Sequence, residues 1–161
     1  MLSCSDEPQE QINPEDNWSK TKSTDLGKEL AIQAELEIKL FLEMHSDWDV
    51  IKTGSGLQYY IYEHGAGDSI HAGDVAEIEY VISTLDGTEC YKTESDEYEE
   101  FIVDKSEVET GLQEAIKKLR VGDKAKLIIP SHIGHGLVGD MRKIPPLTTL
   151  LVDITVLGKK L

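Results

Sequence analysis

From Trp48 to the C-terminus the apolar residues recur largely at every second position, and one segment breaks that period. Val108, Leu112, Ala115, Ile116 and Leu119 stand at i, i+4, i+7, i+8 and i+11, on a single face of an α-helix that ends near Gly122. Around it lie segments that read as strands. They are Leu57–Tyr62, the run after Gly73-Asp74 in which Ile78, Tyr80 and Ile82 share a face, Phe101–Val103, and the alternations Ala125/Leu127/Ile129 and Val152/Ile154/Val156. Asp86-Gly87 marks a hairpin turn. Several alternating strands and one amphipathic helix bury their apolar faces together when the helix covers one face of an antiparallel sheet. The expected class is α+β.

Upstream, the pattern changes twice. Residues 1–25 are polar and carry six acids against Lys20 and Lys22, a composition that cannot bury enough surface to order itself, so they read as an acidic flexible linker. Residues 26–48 read as a helical stalk, with Asp25 as its N-cap. Leu30, Ala34, Ile38 and Phe41 form one stripe, and Ile32, Leu36 and Leu40 form a second. An arc that wide is expected either to half-bury the helix on its own domain or to pair it with another, as a homodimer through residues 26–44. The compact domain then occupies residues 50–161.

The net charge of −15 excludes a nucleic-acid partner, because phosphate neutralisation needs a basic face. No run approaches the roughly 20 apolar residues of a membrane span. Met1 to Ser3 is too short for the charged and apolar regions of a signal peptide, so any such leader would have to be absent or removed.

Pro130 to Thr149 holds Pro145-Pro146 and three glycines without periodicity, and a loop of that length in a compact domain is usually functional. The prolines stiffen it, as a binding flap requires. His132 and His135 are three apart on this loop and lack the i, i+4 geometry of a helical ligand pair, with no cysteine or acid at ligand spacing; no metal site is expected. Cys90 with His135 could suggest a nucleophile and base, but a lone thiol on a sheet is more often a small apolar filler.

The order of these motifs resembles the FKBP-type peptidyl-prolyl isomerases over residues 50–161. Gly73-Asp-Val-Ala-Glu-Ile-Glu-Tyr80 with Asp86-Gly87 resembles the family's opening strand and its pocket tyrosine. Val108-Glu-Thr-Gly-Leu-Gln-Glu114 is similar to its V-I-x-G-(W or L)-x-E helix start. Arg120 to Ser131, then Gly136, Gly139 and Ile144-Pro-Pro146 through Ile154, follow its next strand, flap and last strand without a gap. The resemblance implies an antiparallel sheet wrapped on one amphipathic helix, with a small apolar pocket that holds a prolyl ring. It implies an isomerase that uses no cofactor, metal or nucleophile and acts on proline-containing polypeptides.

Carried over by position, the site is Tyr80, Val108, Leu112, Ile144 and the backbone N–H of Glu109, with five replacements around them. Cys90 and Tyr91 stand for the F-D pair of the F-D-S motif, Glu109 for an isoleucine, His135 for the flap tyrosine and Val152 for a phenylalanine. Glu99 stands where an aromatic wall residue is usual, with Tyr98 or Phe101 as substitutes. Each lost wall removes about 0.5–1.5 kcal/mol beyond its area, so weak activity is expected. The rival expectation is a non-catalytic binding module on the same fold.

Met-Leu-Ser-Cys4 resembles the end of a bacterial lipobox, and Ser-Asp-Glu after it resembles the export tag of Bacteroidetes surface lipoproteins. With the isomerase resemblance, this implies a lipid-anchored FKBP of the envelope, of the kind associated with gliding motility, acylated at Cys4 and helping envelope proteins to fold.

Overall fold

A computed structural model describes residues 14–136 and 138–161, with side chains from Thr24 onward. Cys4 and the rest of residues 1–13 lie outside the described part. The first helix, α1, spans Pro14–Glu43. It therefore starts well before Leu26, and the Asp25 cap is corrected to a start at Pro14. Proline suits the first helical position, where a missing N–H leaves no bond unmade. A polar composition bears on burial and does not prevent a helix.

Seven strands follow: β1 (Ile51–Lys52), β2 (Gln58–Glu63), β3 (Val75–Thr84), β4 (Glu89–Lys92), β5 (Glu99–Ile102), β6 (Lys124–Ile129) and β7 (Leu150–Lys160). Between β5 and β6 lies α2, Thr110–Ile116. It is shorter than the apolar spacing suggests, because Lys117 caps it. Leu119 reaches the core from the turn beyond, where its N–H bonds the Ile116 carbonyl at 3.2 Å.

The sheet is antiparallel in the order β1-β2-β6-β7-β3-β4, and β5 pairs with the first part of β3. The outer edge of β3 is thus shared, with β5 along Val75–Ile78 and β4 along Val81–Ser83. Register places side chains in rows across the sheet. Tyr91, Ile82, Val152, Leu127 and Tyr59 form one row, and Tyr80, Ile154, Ala125 and Ile61 form the next. These rows face α2, whose Leu112, Ala115 and Ile116 complete the main core. Gly111 lets the helix approach, since a Cβ there would lie 2.6 Å from Ile129 Cγ2.

The other face is covered as well. Ile38 and Phe41 of α1 pack on Ile128, with Trp48, Leu85 and Leu151 around them. That explains why Leu127, Ile128 and Ile129 are buried consecutively: the strand has an element on each face. Of the two stripes on α1, the one containing Ile38 and Phe41 meets the sheet. Ile32, Leu36 and Leu40 stay exposed.

Candidate prolyl pocket

Strand rows, α2 and the loop after β6 converge on one place. Leu112 supplies the helix floor, Val152 the sheet wall and Ile144 the flap side, and all three are buried in one apolar cluster. Tyr80, Tyr91 and Val108 pack against that cluster half-buried. Cys90 is 4% exposed, its thiol directed at the Thr88 carbonyl at 3.7 Å, and burial pushes its pKa up. It sits as an apolar filler beside the site. A register shift between Ile82 and Ser83 lets Cys90 and Tyr91, neighbours in sequence, both meet the core.

Of the two substitute aromatics, Phe101 is buried in the cluster and Tyr98 is 50% exposed, so Phe101 alone supplies a wall. Glu99 lies two residues from Phe101, on the same strand face, and accepts the Tyr80 hydroxyl hydrogen at 2.7 Å. Burial first, then that carboxylate, holds the Tyr80 phenol well above the ordinary tyrosine range, so it stays a protonated donor. Glu109 is the N-cap of α2. Its carbonyl accepts the Gln113 N–H at 3.0 Å, and its own N–H precedes the helical ladder. Its carboxylate meets His135 Nε2 at 2.5 Å, tying the flap to the helix start.

The flap is organised by a residue that the linear pattern does not single out. Asp140 accepts the N–H groups of Arg142 at 2.9 Å and Ile144 at 2.8 Å, and the Tyr91 hydroxyl donates to it. The Tyr91 bond, followed by these amides, holds the Asp140 carboxyl well below the usual carboxylate range. An acid after glycine in a loop is the local signal for such a turn, but its partner Tyr91 lies 49 residues away. Gly139 beside it has φ +64°, and a Cβ there would strike the Ile144 carbonyl oxygen, so the flap needs glycine here. Buried Gln113 fixes the approach to α2, accepting the Asp104 N–H at 2.8 Å and donating to the Ser106 carbonyl at 3.0 Å.

His132 and His135 serve different partners. His132 Nε2 lies 2.6 Å from the Ser55 carbonyl oxygen and His135 lies on Glu109. Of the nine positions expected at the site, Tyr80, Cys90, Tyr91, Val108, Leu112, Ile144 and Val152 belong to or pack on one apolar cluster, while Glu109 and His135 are outside it and pair with each other.

A family model described as FKBP-type peptidyl-prolyl cis-trans isomerase matches residues 67–157. The chain belongs to this family. The chain is 33% identical over 145 residues to the FkpA isomerase of Buchnera aphidicola subsp. Schizaphis graminum, covering 89% of this chain and 56% of that protein. It is 32% identical over 111 residues to FkpA of Escherichia coli K12, covering 68% and 40%. The crystal structure of FkpA from Escherichia coli superposes with a TM-score of 0.67 at 23% identity, over 93% of this chain and 74% of that one. The chain spans little more than half the length of the first of these relatives.

Proposed function

We propose that this FKBP domain catalyses cis–trans isomerisation of X-Pro bonds, weakly, as a folding helper for envelope proteins. The observation that carries the proposal is the buried floor of Leu112, Ile144 and Val152 beneath Tyr80, with the N-cap amide of Glu109 at its edge. Rotation about an X-Pro bond must break amide resonance, and the twisted amide is less dipolar than the planar one. A water-poor floor of aliphatic carbons favours that twisted state over the ground state, while the Glu109 N–H holds the substrate carbonyl. The Tyr80 hydroxyl, kept protonated, offers a second polar handle above the ring. Cys90, Val152 and His135 in place of aromatic side chains weaken ring binding, hence the low rate.

The test is exchange NMR on a proline peptide with and without protein. Acceleration is expected, reduced by Leu112→Ala. No acceleration at high protein concentration overturns the enzyme and leaves a binding module on the same fold.

Placement belongs to the same proposal. Acylation of Cys4 would hold the domain at the envelope, of Bacteroidetes lipoprotein type, and α1 would lift it clear of the surface. Full-length protein expressed with a lipoprotein leader is expected in membrane fractions, and Cys4→Ala in soluble ones. Equal partitioning of the two would end the anchoring proposal. Residues 26–44 would also pair two copies, through the exposed stripe of α1.

A further inference from the structure

The rim of the pocket is polarised. On the side built by β5 and the start of α2 stand two carboxylates, Glu99 and Glu109. Glu99 accepts from the Tyr80 phenol at 2.7 Å, a neutral donor, and no ion pair compensates its charge among the described residues. Among the described residues, Glu109 is met by His135 on the flap, at 2.5 Å. Glu109 follows Val108, which packs on the same apolar cluster as Tyr80. On the side built by β4 and the flap, Lys143 Nζ stands 4.9 Å from the Tyr91 ring centroid. Asp140 there already holds Tyr91 and two backbone amides. One side of the mouth therefore presents carboxylates that a ligand can recruit, and the other presents a cation.

We infer that Glu99 and Glu109 set substrate choice, favouring X-Pro segments in which lysine or arginine flanks the proline and disfavouring acidic flanks. The inference rests on the isomerase proposal for what occupies the pocket. A prolyl ring on the Leu112–Val152 floor, with its neighbouring carbonyl at the Glu109 N–H, sends a flanking side chain past the Glu109 carboxylate, because amide and carboxylate belong to one residue. An arginine there presents a fork of donors to Glu109 and Glu99 together. A glutamate there meets like charge. Charge would thus restore part of the affinity that the missing aromatic walls remove. His135 is an internal competitor for Glu109, since an incoming cation takes the place it occupies.

The test uses three peptides alike except that both residues flanking the proline are arginine, alanine or glutamate. Each is measured for acceleration of cis/trans exchange and for affinity by NMR titration, in low and high salt. The arginine peptide is expected to exceed the glutamate peptide about tenfold in kcat/KM or 1/Kd at low ionic strength. The ratio should shrink towards unity near 1 M salt, where the screening length is about 3 Å. Glu99→Gln and Glu109→Gln should each lower this ratio, and His135→Ala should raise it. A purely structural role for these acids would move all three peptides together.

If the alanine peptide is accelerated and the arginine-to-glutamate ratio is one, the inference fails and the isomerase proposal stands. If no peptide is accelerated but affinity shows the ratio, charge selection holds for a binding module and the isomerase proposal fails. Neither binding nor acceleration overturns both.

Discussion

Asp140 gathers the flap onto the sheet, and its state of charge should be visible in stability. Its carboxyl is held below the usual range by the Tyr91 hydroxyl and by the amides of Arg142 and Ile144. A carboxylate with a depressed folded pKa adds stability that is present above its unfolded value of about 4 and disappears as pH falls through the lower folded value. Asp140→Asn removes the charge and keeps one acceptor oxygen. The variant is therefore expected to melt below the parent between pH 5 and 7, both numbers being about one to three units above that unfolded value. The gap should narrow as pH drops past about 4 and close in stronger acid. Thermal melts of both proteins across that range check it, and a constant gap would mean that packing rather than charge is lost. Tyr80 tells the complementary story. Its phenol is held above the ordinary range by burial and by Glu99, so its donor role should not change across neutral pH.

Among the elements, α2 is the one whose placement makes the pocket, and Gly111 sets its distance from β6. A methyl at Gly111 would meet Ile129 Cγ2 at 2.6 Å and the Ile133 carbonyl at 3.0 Å, both in the packed interior. Gly111→Ala is expected to cost about 1–3 kcal/mol by overpacking, read as a lower urea midpoint. Gly54→Ala, where nothing lies within 4 Å, should shift it by no more than about 0.5 kcal/mol. The strand periods, the position of α2 and the apolar residues that gather around Leu112 were legible because each repeats or resembles something local. What was not legible depends on a partner far along the chain. Alternation turns Ile128 and Leu151 outward, and only the return of α1 over that face explains why Ile128 is buried. Alternation also assigns Cys90 and Tyr91 to opposite faces, and only the bulge against β3 brings both to the core. The Asp140–Tyr91 bond is of the same kind. Helix ends were the other weak point, since Pro14 and Lys117 act through backbone geometry that an apolar spacing does not report.

On the scale of the whole molecule, the question is how a 30-residue helix, about 45 Å long, is held and what its free face does. The hold is aromatic: Phe41 stacks on His45 at 4.2 Å and meets Trp48 edge-on at 5.7 Å, and Trp48 stacks on Tyr60 at 5.8 Å. Phe41→Ala should loosen that joint and leave the pocket on the opposite face of the sheet intact. Faster amide hydrogen exchange in residues 38–43 with an unchanged isomerase rate is the expected pair of readings. The free face carries Ile32, Leu36 and Leu40 at intervals of four, with Met44 in the turn just beyond the helix, each more than half exposed. A row at that spacing is one ridge of a helix, and two such ridges pack when α1 of a second copy lies against it. The exposed acids Glu29, Glu35, Glu37 and Glu43 stand along the same helix against Lys28 and Lys39, so two copies repel as well as attract. Apolar burial does not weaken with added salt, while repulsion between surface charges falls with the screening length. Sedimentation should therefore show a dimer at tens of micromolar protein, a concentration corresponding to roughly 6–7 kcal/mol of association, and tighter pairing in higher salt. Leu36→Glu puts a charge in the middle of the ridge and should yield a monomer with the parent's melting temperature for the FKBP domain. A parent that sediments as a monomer at that concentration in both low and high salt would exclude pairing through α1.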